Sequence, residues 1–141
     1  MIMITEIDKV LYTANTHTTG GRDGAGKSSD GALEGKLSSP GSSRPGTNPE
    51  QLFAVGWSAC FMGAMGLAAR ARNIALPADV TIDAEVDLGL TDATFSLRAR
   101  LNVRVPGLDR ALVEALVRDA HQTCPYSRAT RGNLDVTFNI L

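Results

Sequence analysis

The sequence lacks an apolar stretch near its start of the kind that directs export. Residues 1–10 carry Glu6, Asp8 and Lys9 and hold no hydrophobic core of signal-peptide length. A cytoplasmic location is the expectation. An excess of charge is also missing, since 14 basic residues face 15 acidic ones for a net charge of −1. That balance gives no long-range pull on nucleic acid or an anionic membrane surface. Cysteine is scarce, with Cys60 and Cys124 alone and 64 positions apart, and the two histidines, His17 and His121, are isolated. This spacing excludes a CxxC redox motif, and two thiols without clustered histidines make no zinc site. No P-loop, dinucleotide fingerprint or Ser-His-Asp order is visible. Neither a metal nor a bound cofactor is expected. Each histidine reads as solvated or hydrogen-bonded.

What is present is the profile of a soluble globular protein, 43% hydrophobic and 21% charged. At 141 residues the chain is long enough to bury its own core, and a single domain over 1–141 is expected. The 18 residues Leu52–Ala69 hold no charge, which touches the lower limit of a membrane span. Half of them are Ala, Gly or Ser, however, and Gly56, Gly63 and Gly66 suit close packing, so a buried core helix is the reading.

The first third reads as strands and turns. Val10–Thr16 favours a strand, Gly20-Gly21-Arg22-Asp23-Gly24 a turn, and Leu33 and Leu37 a short second strand. Ser38–Thr47, dense in Pro, Gly and Ser, reads as a loop. Asn48 as N-cap, Pro49 at the first helical position and Gln51 start a helix that runs through Cys60 to about Arg72. Two alternating strands follow, Val80–Leu88 and Phe95–Val105, with a turn at Thr91-Asp92. Asp109–Thr123 carries an apolar stripe at helical spacing that Cys124 continues, and Pro125 marks the exit. Leu134, Val136, Phe138 and Ile140 share one face of a last strand. The order β-β-α-β-β-α-β is an α+β plan.

Two cysteines in a reducing compartment are poor candidates for a permanent staple. They are either inert buried thiols or they cycle. Three blocks bear on that choice: Gly20-Gly21-Arg22-Asp23-Gly24; Thr47-Asn48-Pro49-Glu50-Gln51-Leu52-Phe53 leading to Ser58-Ala59-Cys60-Phe61; and Cys124-Pro125-Tyr126-Ser127 with Ala129-Thr130-Arg131-Gly132-Asn133. Together with Val10-Leu11-Tyr12-Thr13-Ala14, these resemble the organic hydroperoxide resistance proteins of the Ohr/OsmC group, over nearly the whole chain. The Cys-Pro-Tyr-Ser block favours the Ohr branch. Trp57 stands where the family often has Tyr, and the loop from Ser38 to Gly46 is short.

The resemblance implies an OsmC-like fold, with antiparallel sheets around a long buried central helix plus a second amphipathic helix, in an intertwined homodimer. It also implies a peroxidase. Cys60 is then the peroxidatic thiolate, Cys124 the resolving thiol that closes a disulfide with it, and Arg22 and Glu50 are the polar partners of the reacting sulfur. Organic hydroperoxides are the implied substrates and lipoyl dithiols, carried by lipoylated proteins, the implied reductant.

Elementary chemistry fits these roles. Only the thiolate attacks, and a free thiol with a pKa near ~8.5 is mostly protonated at neutral pH. Cys60 lies too deep in its helix for the dipole to help, so a cation is needed, and Arg22 in a glycine-rich loop can supply it. Glu50 and Cys60 stand ten residues apart, or about 15 Å along one helix. A Glu50 that serves Cys60 is therefore expected from a second subunit. Phe53, Trp57 and Phe61 around Cys60 suggest an apolar pocket suited to bulky hydroperoxides.

Overall fold

Residues 4–141 are described by the computed structural model, and their contacts fall into two units, one up to Asn48 and one from Pro49 to Leu141. The first three residues, part of the N-terminal segment considered for export, lie outside the described residues.

In the first unit β1 (Thr16–Thr19), β2 (Ala25–Ser28) and β3 (Glu34–Lys36) form an antiparallel sheet in that order. Thr16 pairs with Ser28, and Ala25 with both Thr19 and Lys36. The strand expected over Val10–Thr16 begins only at Thr16, and the segment before it is irregular and exposed. β3 matches the expected second strand, whereas β2 was not foreseen. A single 3-10 turn, Gly21–Asp23, links β1 to β2 and carries Arg22. Glycine makes this turn possible. Gly20 has φ 71°, and a Cβ on Gly24 would stand 1.7 Å from the Thr19 carbonyl oxygen.

The second unit starts with α1 (Pro49–Ala71), bounded as its Pro start and basic last turn foretell. A hairpin follows, β4 (Thr81–Thr91) and β5 (Thr94–Arg104), closed by Asp92 and Ala93. Both turn residues have positive φ, 50° and 63°, as a two-residue hairpin loop requires. Charge pairs fix its register on the outer face. Arg98 lies opposite Asp87 and Arg100 opposite Glu85, and Asp87 takes hydrogen bonds from both arginines at 2.8–2.9 Å.

Beyond the hairpin come α2 (Arg110–Thr123), α3 (Pro125–Thr130) and β6 (Asp135–Ile140). β6 pairs with β5 in parallel, Arg98 opposite Asp135 and Val103 opposite Ile140. This corrects the expectation of antiparallel sheets throughout. A strand that returns through helices to its neighbour's side runs in the neighbour's direction.

The core joins one face of α1 (Trp57, Phe61, Met65) to the inner face of β5 (Leu101, Val103) and to α2. α1 is long and apolar enough to cross a membrane, yet this packing is that of a core helix. Within the chain it is buried along one side only. Its other side leaves Leu52, Val55 and Leu67 exposed. The alternation expected of β5 is realised over the half that pairs with β6, where Ala99, Leu101 and Val103 are buried, while Phe95 near the hairpin tip is 70% exposed.

Candidate functional site

The site in the second unit is built where α1 meets the junction of α2 and α3. Cys60 projects from the middle of α1 and is partly buried, while Cys124 is fully buried. Cys124 does not sit inside a helix. It is the last cap of α2 and the first cap of α3, with extended backbone at φ −60°, ψ 124°. Its own N–H donates to the Ala120 carbonyl at 2.8 Å, and its carbonyl accepts from Arg128 N–H at 2.9 Å. Pro125, read from sequence as an exit, is also the first residue of a new helix.

The structure brings the two thiols together. They are free, and they are near enough for the Cys124 thiol to disfavour the Cys60 thiolate. A second influence comes from backbone alone: the Tyr126 peptide N–H near the Cys60 sulfur favours its charged form. Pro125 has no N–H, so Tyr126 offers the first donor of α3, one that the helix itself leaves unused. Burial pushes the Cys60 thiol above its ordinary pKa and the Cys124 thiol adds to the rise, while the Tyr126 N–H opposes them. Within this unit the balance disfavours the thiolate.

Aromatic side chains pack beside the pair. Phe53 meets Trp57 edge-on at 5.5 Å and Tyr126 at 5.9 Å between ring centroids. Tyr126 lies directly over Gly56. Trp57 and Phe61, expected as pocket walls, are wholly buried in the core, and only Phe53 of the three is partly exposed. The Trp57 indole N–H donates to Ser127 Oγ at 3.2 Å in a fully buried bond. From sequence Gly56 was read only as a packing glycine, and Tyr126 and Ser127 only as members of the Cys-Pro-Tyr-Ser block, with no role beside the thiols. The one signal was the Cys-Pro order, which frees the Tyr126 amide.

The other two expected site residues are Glu50 and Arg22. Glu50 is in the first turn of α1, and because the helix is unbroken to Ala71 it lies about 15 Å along the axis from Cys60. Arg22 is in the first unit, exposed on the 3-10 turn. Its neighbour Asp23 anchors that turn to the following loop, accepting from Ser39 N–H at 3.1 Å and Ser39 Oγ at 3.0 Å and pairing with Arg44 at 2.9 Å. These bonds, with the Ser39 N–H foremost, hold the Asp23 carboxyl below its ordinary pKa.

His121 departs from expectation. Its Nδ1 is buried without a hydrogen-bond partner among the described residues. Its ring stands edge-on to Phe138 at 4.8 Å, and Phe138 stacks on Phe61 at 4.8 Å. Burial lowers the His121 pKa, and the nearby Arg131 guanidinium, which donates to the His121 carbonyl, lowers it further. No group of three His, Cys, Asp or Glu able to hold a metal is found among the described residues.

Comparison with known proteins gives a consistent result. The family model for OsmC-like protein matches residues 40–139. The organic hydroperoxide resistance protein of Xanthomonas axonopodis pv. citri (strain 306) is 50% identical over 137 residues, covering 94% of this chain and 96% of the relative. The organic hydroperoxide resistance protein OhrA of Bacillus subtilis (strain 168) is 41% identical over 135 residues, with 92% and 96% covered. The crystal structure of OhrB of Bacillus subtilis superposes with a TM-score of 0.89 at 41% identity, over 94% of this chain and all of that one.

Proposed function

Because this chain belongs to the OsmC-like protein family, beside relatives named for organic hydroperoxide resistance, we propose that it is a cytoplasmic thiol peroxidase that reduces organic hydroperoxides. The observation that carries this reading is the juxtaposition of a partly exposed thiol, Cys60, and a buried one, Cys124, near enough to influence each other. Inert core cysteines have no need to meet.

The chemistry proceeds in three steps. The Cys60 thiolate attacks the distal oxygen of the hydroperoxide, the O–O bond breaks, and the alkoxide leaves as an alcohol after taking a proton. Sulfur gives up two electrons and becomes a sulfenic acid. The Cys124 thiol then attacks that sulfur, water leaves, and a Cys60–Cys124 disulfide remains. A dithiol of the lipoyl class, on a lipoylated protein, reduces the disulfide by exchange and is itself oxidised to a cyclic disulfide.

The thiolate needs a cation, since burial and Cys124 both raise the Cys60 pKa. Arg22 is the proposed source, held in place by Glu50, with Glu50 drawn from a second copy of the chain because one helix keeps it from its own Cys60. Two features support an intertwined homodimer, in which the whole chain acts as one domain. α1 exposes Leu52, Val55 and Leu67 along one side, and the N-terminal segment exposes Ile7, Leu11 and Tyr12.

The test is turnover of cumene hydroperoxide and of hydrogen peroxide with dihydrolipoamide, for wild type and Cys60→Ser. Preferential turnover of the organic peroxide that vanishes in the variant is expected. Equal activity in Cys60→Ser, or thiols that survive peroxide unchanged, would refute the proposal.

A further inference from the structure

Trp57 and Ser127 are 70 positions apart and both fully buried, and the indole N–H donates to the serine hydroxyl at 3.2 Å. The bond has a regular relation to the two thiols. Trp57 precedes Cys60 by three residues on α1, and Ser127 follows Cys124 by three residues on α3. It therefore ties the two elements together about one helical turn from each sulfur. Indole has a single donor and no acceptor, and in a dry site that donor has no water to turn to. Once the hydroxyl is gone, the first turn of α3 has lost its polar anchor to α1.

Two groups near Cys60 belong to that turn, the Cys124 thiol at its cap and the Tyr126 N–H within it. Cys124 is joined to α2 through extended backbone rather than through continuous helix. Its placement thus depends on how α3 is held. A disulfide forms only when the sulfurs reach about 2.05 Å and the α-carbons stand within about 7 Å. Holding one thiol beside the other turns a search into a local displacement.

We infer that the Trp57–Ser127 hydrogen bond is a positioning device for the disulfide-forming step, keeping Cys124 poised over Cys60 while the latter is a sulfenic acid. The inference rests on the thiol peroxidase reading. It assigns Trp57 and Ser127 as positioning residues that touch neither peroxide nor reductant.

The experiment is a single turnover of the fully reduced protein with cumene hydroperoxide, quenched over time and resolved by mass spectrometry into thiol, dimedone-trapped sulfenic acid and disulfide. In Ser127→Ala the oxidation of Cys60 should proceed within about twofold of wild type. Disulfide closure should slow about tenfold, the scale of one buried hydrogen bond, so that the trapped sulfenic acid accumulates. Trp57→Phe should slow closure alike, and the double variant no further, because both substitutions remove one interaction. A general loss of stability would lower the melting temperature without changing the split between sulfenic acid and disulfide in the folded protein. Closure at the wild-type rate in folded Ser127→Ala, or additive losses in the double variant, would overturn the inference alone. A wild-type protein whose Cys60 is never oxidised would overturn the peroxidase reading and this inference with it.

Discussion

Tyr126 lies over Gly56 so closely that a Cβ on the glycine would stand 2.7 Å from the phenol oxygen and 3.1 Å from the carbon bearing it. Gly56 sits mid-helix, where alanine is favoured by about 1 kcal/mol, so the glycine is retained against helix propensity for the sake of the ring. Gly56→Ala should change overall stability by less than about 1 kcal/mol, since the helix gain offsets the displaced phenol. The cost appears locally, because the ring swings outward from Phe53. NMR contacts between the Phe53 and Tyr126 rings report it, and an unchanged ring pair would show that the tyrosine had no need to move.

Removing the resolving thiol separates the two halves of the proposed cycle. Cys124→Ser should still consume one equivalent of organic hydroperoxide per chain and then stop with dihydrolipoamide as reductant. With a large excess of peroxide and no reductant, a second equivalent should slowly carry Cys60 on to sulfinic acid, a mass gain of two oxygens. Sustained wild-type turnover in this variant would remove Cys124 from the mechanism.

The exposed side of α1 offers a direct test of the proposed dimer. Val55 is 70% and Leu67 61% exposed in the single chain, so a charge at either costs an isolated monomer little. Val55→Glu or Leu67→Glu should leave the fold intact, shift sedimentation towards monomer and lower peroxidase activity in parallel. A variant that stays dimeric would place the interface on another surface.

Acid should weaken the outer face of the β4–β5 hairpin. Hydrogen bonds from Arg100 and then Arg98 depress the Asp87 pKa. A carboxyl shifted downward stabilises the fold above its unfolded value, about 3.9, and loses that contribution as pH falls through the folded value. The melting temperature of wild type should therefore fall as pH drops below about 4. Asp87→Asn should be less stable at pH 7 and show a shallower decline, which thermal melts at a series of pH values measure. Parallel curves would show that Asp87 carries no proton-linked stability.

His121 acts in the same direction over a higher range. Its folded pKa is lowered, chiefly by burial, so the neutral ring favours the fold above the unfolded value near ~6.5, and the contribution is lost below it. Melting temperature should begin to fall just under that pH, and His121→Phe should delay the onset. An identical onset in the variant would assign the effect to other groups.

Much of the second unit was legible because its signals are strong. Asn48-Pro49 and the basic last turn bound α1, and strict alternation marks β4, β5 and β6. The failures have physical reasons. β2 is Ala-Gly-Lys-Ser, with no apolar side chain larger than alanine to show a period. α3 is six residues long, too short for helical periodicity, and its Pro125 stops one helix while starting another. Alternation also hides how far a face stays covered, since Phe95 continues the apolar period of β5 although it lies beyond the reach of β6. At the site the two thiols were visible as residues. The Tyr126 donor is a peptide group without a side-chain signature, and the Trp57–Ser127 bond joins positions that no local pattern links.

The parallel seat of β6 sets an order of events for a chain emerging from the ribosome. β4 and β5 are joined by a two-residue turn and can zip at once, but Arg98 waits for Asp135, 37 positions later. Until then the β5 edge stands open, and Phe61 lacks Phe138, the ring it stacks on. Non-local pairings of this kind slow folding and prolong exposure of an unpaired strand edge. The interval between synthesis of β5 and of β6 is thus when this protein is most open to aggregation, before either thiol has any work to do.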